Sequence, residues 1–125
     1  IPVMKRQKSG KIVNLASIAG RGVSRTSSSA YATAKGGIIA LTRKLSLERG
    51  PHGSPLNAIA PSLTLSERLL PHWRARSAEG QAAEIERTPL GRVATPEDQA
   101  RVICFLASSD ADFVTGVTID VTGGQ

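Results

Sequence analysis

Aromatic side chains are scarce in this sequence. Tyr31, Trp73, Phe105 and Phe113 are the only four among 125 residues, so a core must be built from Ile, Leu, Val and Ala. Cysteine occurs once, at Cys104. That excludes an internal disulfide and a cysteine-based zinc site made by this chain alone. Cys104 lies in the apolar run ARVICFLASS and is expected to be a small buried hydrophobe. No apolar run approaches the ~20 residues needed to span a bilayer. No signal peptide is visible either, so no membrane partner is expected and the cytoplasm is the expected location. The 12 glycines and 7 prolines suit a loop-containing α/β domain and are too few for disorder. There is no internal repeat and no low-complexity tract.

Charge is the one excess. The net charge is +6, which could attract nucleic acid or anionic lipid. Four of the basic residues fall in KRQKSGK, Lys5 to Lys11. No aromatic is interleaved with them and no zinc-finger or RNA-binding signature follows. A solvated helix end before a strand is the better reading, and no nucleic-acid partner is expected. A phosphate-bearing ligand is another reason for a basic balance.

The length is that of one ordinary domain. GKIVNLASIAG, from Gly10, carries Ile12, Val13, Leu15 and Ala16 between glycines and reads as a buried strand. A polar loop follows, then a helix from about Ser28 to Arg49. Its apolar positions Ala34, Ile38, Leu41 and Leu45 recur at three and four. Serines supply its N-cap, and Gly50 with Pro51 supplies its stop. Leu56 to Ala60 reads as a second strand closed by Pro61. The stretch from Leu63 to Gly91 predicts a flap with one or two short helices broken by Pro71 and Gly80. TPEDQARVICFLASSDA predicts a helix capped by Thr95, with Pro96 at its first position and Glu97 and Asp98 at the positive end of its dipole. GVTIDVTGG predicts a last strand with Val117, Ile119 and Val121 inward and Thr118 and Asp120 outward. Helices alternating with apolar strands imply an α/β fold with a parallel sheet.

The chain's single tyrosine, Tyr31, stands four residues before Lys35, at the head of the long helix. Positions four apart share one helix face, with Cβ atoms ~5–6 Å from each other. A free phenol titrates near pKa ~10, and a neighbouring ammonium favours the phenolate. Such a phenol is a better general acid or base. Ser17 ends the preceding strand, at the carboxyl edge where parallel sheets bind ligands. A serine hydroxyl facing an acidic phenol suits a carbonyl or an alcohol: Ser17 holds the oxygen and Tyr31 moves the proton. A serine hydrolase fits poorly, because no G-x-S-x-G elbow surrounds Ser17 and neither His52 nor His72 falls in a triad order. His52 reads as a loop residue. His72 and Trp73 either line the flap and touch substrate or simply pack it.

Five segments taken together, GKIVNLASIAG, AYATAKGG, NAIAPS, PLGRVATPEDQARVICFLASSDADFVTG and IDVTGG, resemble the second half of a short-chain dehydrogenase/reductase of the classical type. The likeness runs along nearly the whole chain and is similar to that of 3-oxoacyl-carrier-protein reductases. It implies a Rossmann-like, doubly wound parallel sheet of which residues 1–125 form the C-terminal half, with about three strands. It also implies that the dinucleotide-binding N-terminal half, with its glycine-rich turn, lies outside these residues.

By resemblance, Ser17 matches the serine that steadies the substrate oxygen and Tyr31 the catalytic acid/base. Lys35 matches the lysine that assists the tyrosine and bonds the nicotinamide ribose. Asn14 occupies a position read as structural. Pro61 matches a proline in the cofactor loop, and Ser62 stands where the family usually has glycine. Thr64 falls where the backbone meets the nicotinamide carboxamide, and Ser66 where a threonine often contacts the cofactor. Ile18 and Trp73 are expected beside the substrate. The implied activity is hydride transfer between NAD or NADP and a small-molecule carbonyl or secondary alcohol. The implied assembly is a homo-oligomer, a tetramer or a dimer, paired through the Tyr31 helix and through the last helix and strand. The alternative is a truncated, non-catalytic relative acting through oligomer contacts.

Overall fold

The computed structural model describes residues 1–125. Three parallel strands, β1 (Ile12–Leu15), β2 (Leu56–Pro61) and β3 (Thr118–Val121), form one sheet in the order β1-β2-β3. Helix α1 (Pro2–Gln7) precedes β1, and α2 (Ser29–Arg49) carries the chain from β1 to β2. Helices α3 (Leu70–Arg74), α4 (Ala78–Glu86) and α5 (Pro96–Ala107) lie between β2 and β3.

The register explains how both faces are covered. Asn14 pairs with Ala58 and Ala58 with Thr118, while Leu15 pairs with Ile59 and Ile59 with Ile119. Alternate residues point to opposite faces. On the Ala58 face, Asn14 Nδ2 donates to Thr42 Oγ1 of α2 at 3.0 Å, and Thr42 Oγ1 donates to Ile38 O at 2.7 Å. The small side chains of Ala58 and Ala60, both fully buried, leave room for the long helix to lie close. On the other face Ile59 packs with Leu106 of α5 and Ala111, ringed by Val13, Val102, Ile103, Ile119 and Val121. Helices on both faces of a parallel sheet make this a Rossmann-like α/β arrangement.

Several sequence expectations need correction. In α2 the buried line runs through Thr42 and Ser46, not through Ala34 and Leu41, which are exposed. The helix is apolar over much of its circumference, so spacing alone did not single out the inward face. It does stop where Gly50 and Pro51 were expected to stop it, after Arg49, though Gly50 keeps right-handed angles and enters a 3₁₀ turn, Gly50–His52. The left-handed residue is Gly53, at φ 63°. Strand β1 bonds only to β2, so it is half-buried, and Leu15 is 54% exposed. Val117 precedes β3 and is exposed, not inward. Cys104 is exposed, because the inner face of α5 runs through Gln99, Val102, Ile103 and Leu106. Pro71 and Gly80 do not break helices. Pro71 sits in the first turn of α3, where its missing N–H costs nothing, and Gly80 donates its N–H to the cap Ser77 Oγ at 3.1 Å. Lys11 is not part of a solvated end: it pairs with Asp112 at 2.5 Å and donates to Ser108 O.

Helix α5 begins as expected. Thr95 and Asp98 form a reciprocal capping box: Asp98 N–H donates to Thr95 Oγ1 at 3.4 Å, and Thr95 N–H donates to Asp98 Oδ2 at 2.8 Å. Arg92 then grips both carboxylate oxygens, at 2.6 and 2.8 Å. The hydrogen bond from Arg92 and that from the Thr95 backbone hold the Asp98 carboxyl well below the usual carboxylate range. Folding thus weakens proton binding here. The contribution is fully present above the unfolded-state value of ~4 and is lost as pH falls through the lower folded value. Asp98→Asn should therefore flatten the fall of the melting temperature with acid below pH ~4, measured by circular dichroism. An unchanged acid limb would count against this box as a pH-dependent stabiliser.

Candidate active site

The site is assembled at the carboxyl edge of the sheet. Past β1 the chain turns through Ser17 into a 3₁₀ turn, Ile18–Arg21. Ser17 Oγ accepts from Ala19 N–H at 3.1 Å, which leaves its O–H free to donate outward. Ser28 caps α2, and its Oγ accepts the Tyr31 backbone N–H at 3.2 Å. The cap thus places Tyr31 in the first turn. One turn later Lys35 Nζ donates to Leu15 O at 2.8 Å and stands 5.7 Å from the centre of the Tyr31 ring. Lys35 therefore ties α2 to the end of β1 and keeps two N–H groups for other partners.

Gly20 sets how closely these pieces approach. A Cβ there would lie 2.6 Å from Gly36 N and Lys35 C and 2.8 Å from Lys35 O. Only a residue without a side chain lets the Ser17 turn rest on the helix at Lys35. Arg21 fastens the end of the same turn, reaching Asp120 at 3.0 Å and Thr118 O at 3.1 Å.

A cleft of about 840 Å³ opens at this edge. Ser17, Ile18, Tyr31, Lys35, Pro61, Ser62, Thr64 and Ser66 all line it. Trp73 does not: it is on α3 with its ring under Arg76, at 5.5 Å. His72 is also outside, exposed and near Arg68 O at 3.3 Å. Ser62 in place of glycine brings no backbone strain, since Lys8 is the only non-glycine residue with positive φ. Its hydroxyl turns to Thr122 O at 3.4 Å.

Sequence reasoning missed Gln99. It is 8% exposed, on the inner face of α5, and lines the cleft. Its Nε2 donates to Val121 O at 3.1 Å and to Thr64 Oγ1 at 3.2 Å, and Thr64 Oγ1 donates on to Ser62 O at 3.1 Å. Gln99 thus straps the loop after β2 to the end of β3, and leaves its own Oε1 buried without a partner. The available signal was a glutamine at a helix position whose spacing called for an apolar residue. Arg76, Glu84 and Arg87 of the flap also line the cleft, and no motif marked them.

These features define a Rossmann-like α/β protein whose cleft brings together a hydroxyl, a phenol and an ammonium at the carboxyl ends of the strands. The family model described as enoyl-(acyl carrier protein) reductase matches residues 1–125, and the chain belongs to the short-chain dehydrogenase/reductase family. Among its relatives, cyclohexanol dehydrogenase of a Rhodococcus species is 43% identical over 122 residues, covering 97% of this chain and 44% of that protein. Protein FixR of Bradyrhizobium diazoefficiens is 42% identical over 120 residues, covering 96% of this chain and 41% of the relative. A crystal structure of a 3-oxoacyl-[acyl-carrier protein] reductase with bound NAD, from Brucella melitensis, superposes with a TM-score of 0.84 at 36% identity. It covers 98% of this chain and 43% of that one. The chain spans less than half the length of each of these proteins. No helix is long and apolar enough to cross a membrane.

Proposed function

We propose that residues 1–125 form the catalytic and substrate-binding half of an NAD(P)-dependent reductase that interconverts a carbonyl and a secondary alcohol. The observation that carries this reading is the meeting of Ser17, Tyr31 and Lys35 in one cleft, with Lys35 anchored on Leu15 O. The Ser17 O–H donates to the substrate carbonyl oxygen and orients it. As that oxygen gains negative charge, Tyr31 transfers its phenolic proton to it, giving the alcohol; in the oxidative direction the phenolate takes the proton back. Lys35 stabilises the phenolate by its positive charge and bonds the cofactor's ribose. The nicotinamide, when bound, supplies or accepts the hydride. Pro61, Ser62, Thr64 and Ser66, on the loop that Gln99 straps, hold the nicotinamide end, and Ser17 and Ile18 border the substrate.

The full-length protein is proposed to be a homo-oligomer, a tetramer or a dimer. Leu41 at 49% exposed and Leu47 at 60% on α2, with the fully exposed Phe113 beyond α5, support partner contacts through the Tyr31 helix and the end of the chain.

The test is a reductase assay of the full-length protein with NADH and with NADPH over a panel of ketones and aldehydes. Carbonyl-dependent consumption of one or both nucleotides is expected. Tight nucleotide binding without turnover of any carbonyl would leave only a non-catalytic role.

A further inference from the structure

The flap presents a charged cluster to the cleft that the chemistry above does not use. Glu84, on α4, is 8% exposed. Its Oε2 accepts from Arg87 Nη2 at 2.5 Å and from Arg76 Nη1 at 3.4 Å. The Arg76 guanidinium also lies over the Trp73 ring, at 5.5 Å. All three charged residues line the same cleft as Ser17 and Tyr31, and Glu84 is the only carboxylate among the lining residues. One buried acid therefore holds two guanidiniums, and the cluster keeps a positive charge. Each guanidinium commits one nitrogen to Glu84, and its other N–H groups make no hydrogen bond within the chain.

Two cations fixed by a buried acid and by stacking, with planar donors to spare, match a carboxylate or a phosphate. Trp73 gains a role from this arrangement: it does not line the cleft, but it orients a residue that does. We propose that Arg76 and Arg87 clamp an anionic group of the substrate, so that the substrate is a carbonyl compound with an acidic tail. This rests on the reductase reading only in placing the carbonyl at Ser17 and Tyr31.

The experiment uses the full-length protein, oxo acids of increasing chain length and their methyl esters, with NADH and NADPH. At the best chain length the acid should exceed its ester by about tenfold in kcat/KM, through KM. Arg76→Met and Arg87→Met should each lower kcat/KM for the acid about tenfold and leave the ester and the nucleotide Kd unchanged. Arg87→Lys, which keeps the charge and loses the fork, should fall between. Independently of turnover, the oxo acid should change the tryptophan fluorescence of the protein, and the change should be absent in Trp73→Phe.

An ester as good as its acid at every length overturns the clamp. So does an equal loss for acid and ester, which would mean that the arginines only join α3 to α4. A weakened nucleotide Kd would assign the cations to cofactor phosphates instead. If no probe is reduced but the acid still moves the Trp73 signal, the reductase reading fails and the anion site stands. If both probes are reduced equally and the signal is silent, the clamp alone fails.

Discussion

Tyr31→Phe in the full-length protein should lower kcat by ~10²–10⁴-fold, the usual worth of a positioned general acid, while the nucleotide Kd stays close to that of the parent. The substitution removes one hydroxyl from a side chain that is 47% exposed in the cleft, so no core contact is lost. The backbone N–H of residue 31 still donates to Ser28 Oγ, and Lys35 still anchors on Leu15 O. Fold and cap are therefore untouched, and any loss of rate reports the proton that the phenol delivers. Steady-state kinetics with nucleotide binding followed by fluorescence separates the two effects. Full activity in this variant would remove Tyr31 from the mechanism.

Gly20→Ala is expected to have the next largest effect, from a residue that touches no reactant. The added methyl would meet backbone atoms of Lys35 and Gly36 at 2.6 Å, and backbone cannot swing away as a flexible side chain can. The Ser17 turn and the head of α2 must then move apart. Overpacking of this kind costs ~1–3 kcal/mol of stability. The larger effect is on geometry, because a ~1 Å misplacement of reacting groups costs ~10²-fold in rate. Both readouts should move, the melting temperature modestly and kcat strongly. A variant with parental kcat would show that the close approach at Gly20 does not set the distance between Ser17 and Tyr31.

The parts of the structure legible in the sequence are those decided locally. Thr95-Pro96-Glu97-Asp98 announces the start of α5, since cap, proline and acidic first turn each satisfy a need of a helix N-terminus. Ser28 does the same for α2. The order of strands and helices follows from where β-branched runs give way to helical spacing, and that order is enough for the fold class. Ser17 and Tyr31 were readable as neighbours because one follows β1 and the other opens α2; joining Lys35 to them as a set took the family resemblance of five segments together.

What was not legible depends on which neighbour an element meets. Helix α2 has apolar residues on most sides, and its inward face is selected by the Asn14–Thr42 hydrogen bond and the bare approach at Gly20. Neither is visible in hydrophobic spacing. Cys104 and Val117 sit in apolar runs yet face outward, because Gln99 takes an inner place on α5 and β3 starts one residue later than alternation suggests. Trp73 looked like a substrate contact because it falls in the flap from Leu63 to Gly91 that was expected to border the cleft. Its position under Arg76 and the pairing of Arg87 with Glu84 are contacts three residues apart, but the reach of Arg76 across to Glu84 joins two segments of the flap, which no local pattern encodes.

The most direct measurement follows a label. The full-length protein is given a ketone and the accepted nucleotide, NADH or NADPH, carrying deuterium at the transferred position, and the alcohol is examined by mass spectrometry and NMR. The account predicts deuterium on the carbinol carbon in the parent and almost no labelled alcohol from Tyr31→Phe. An alcohol free of deuterium, or equal labelling by the parent and the Phe variant, would contradict it.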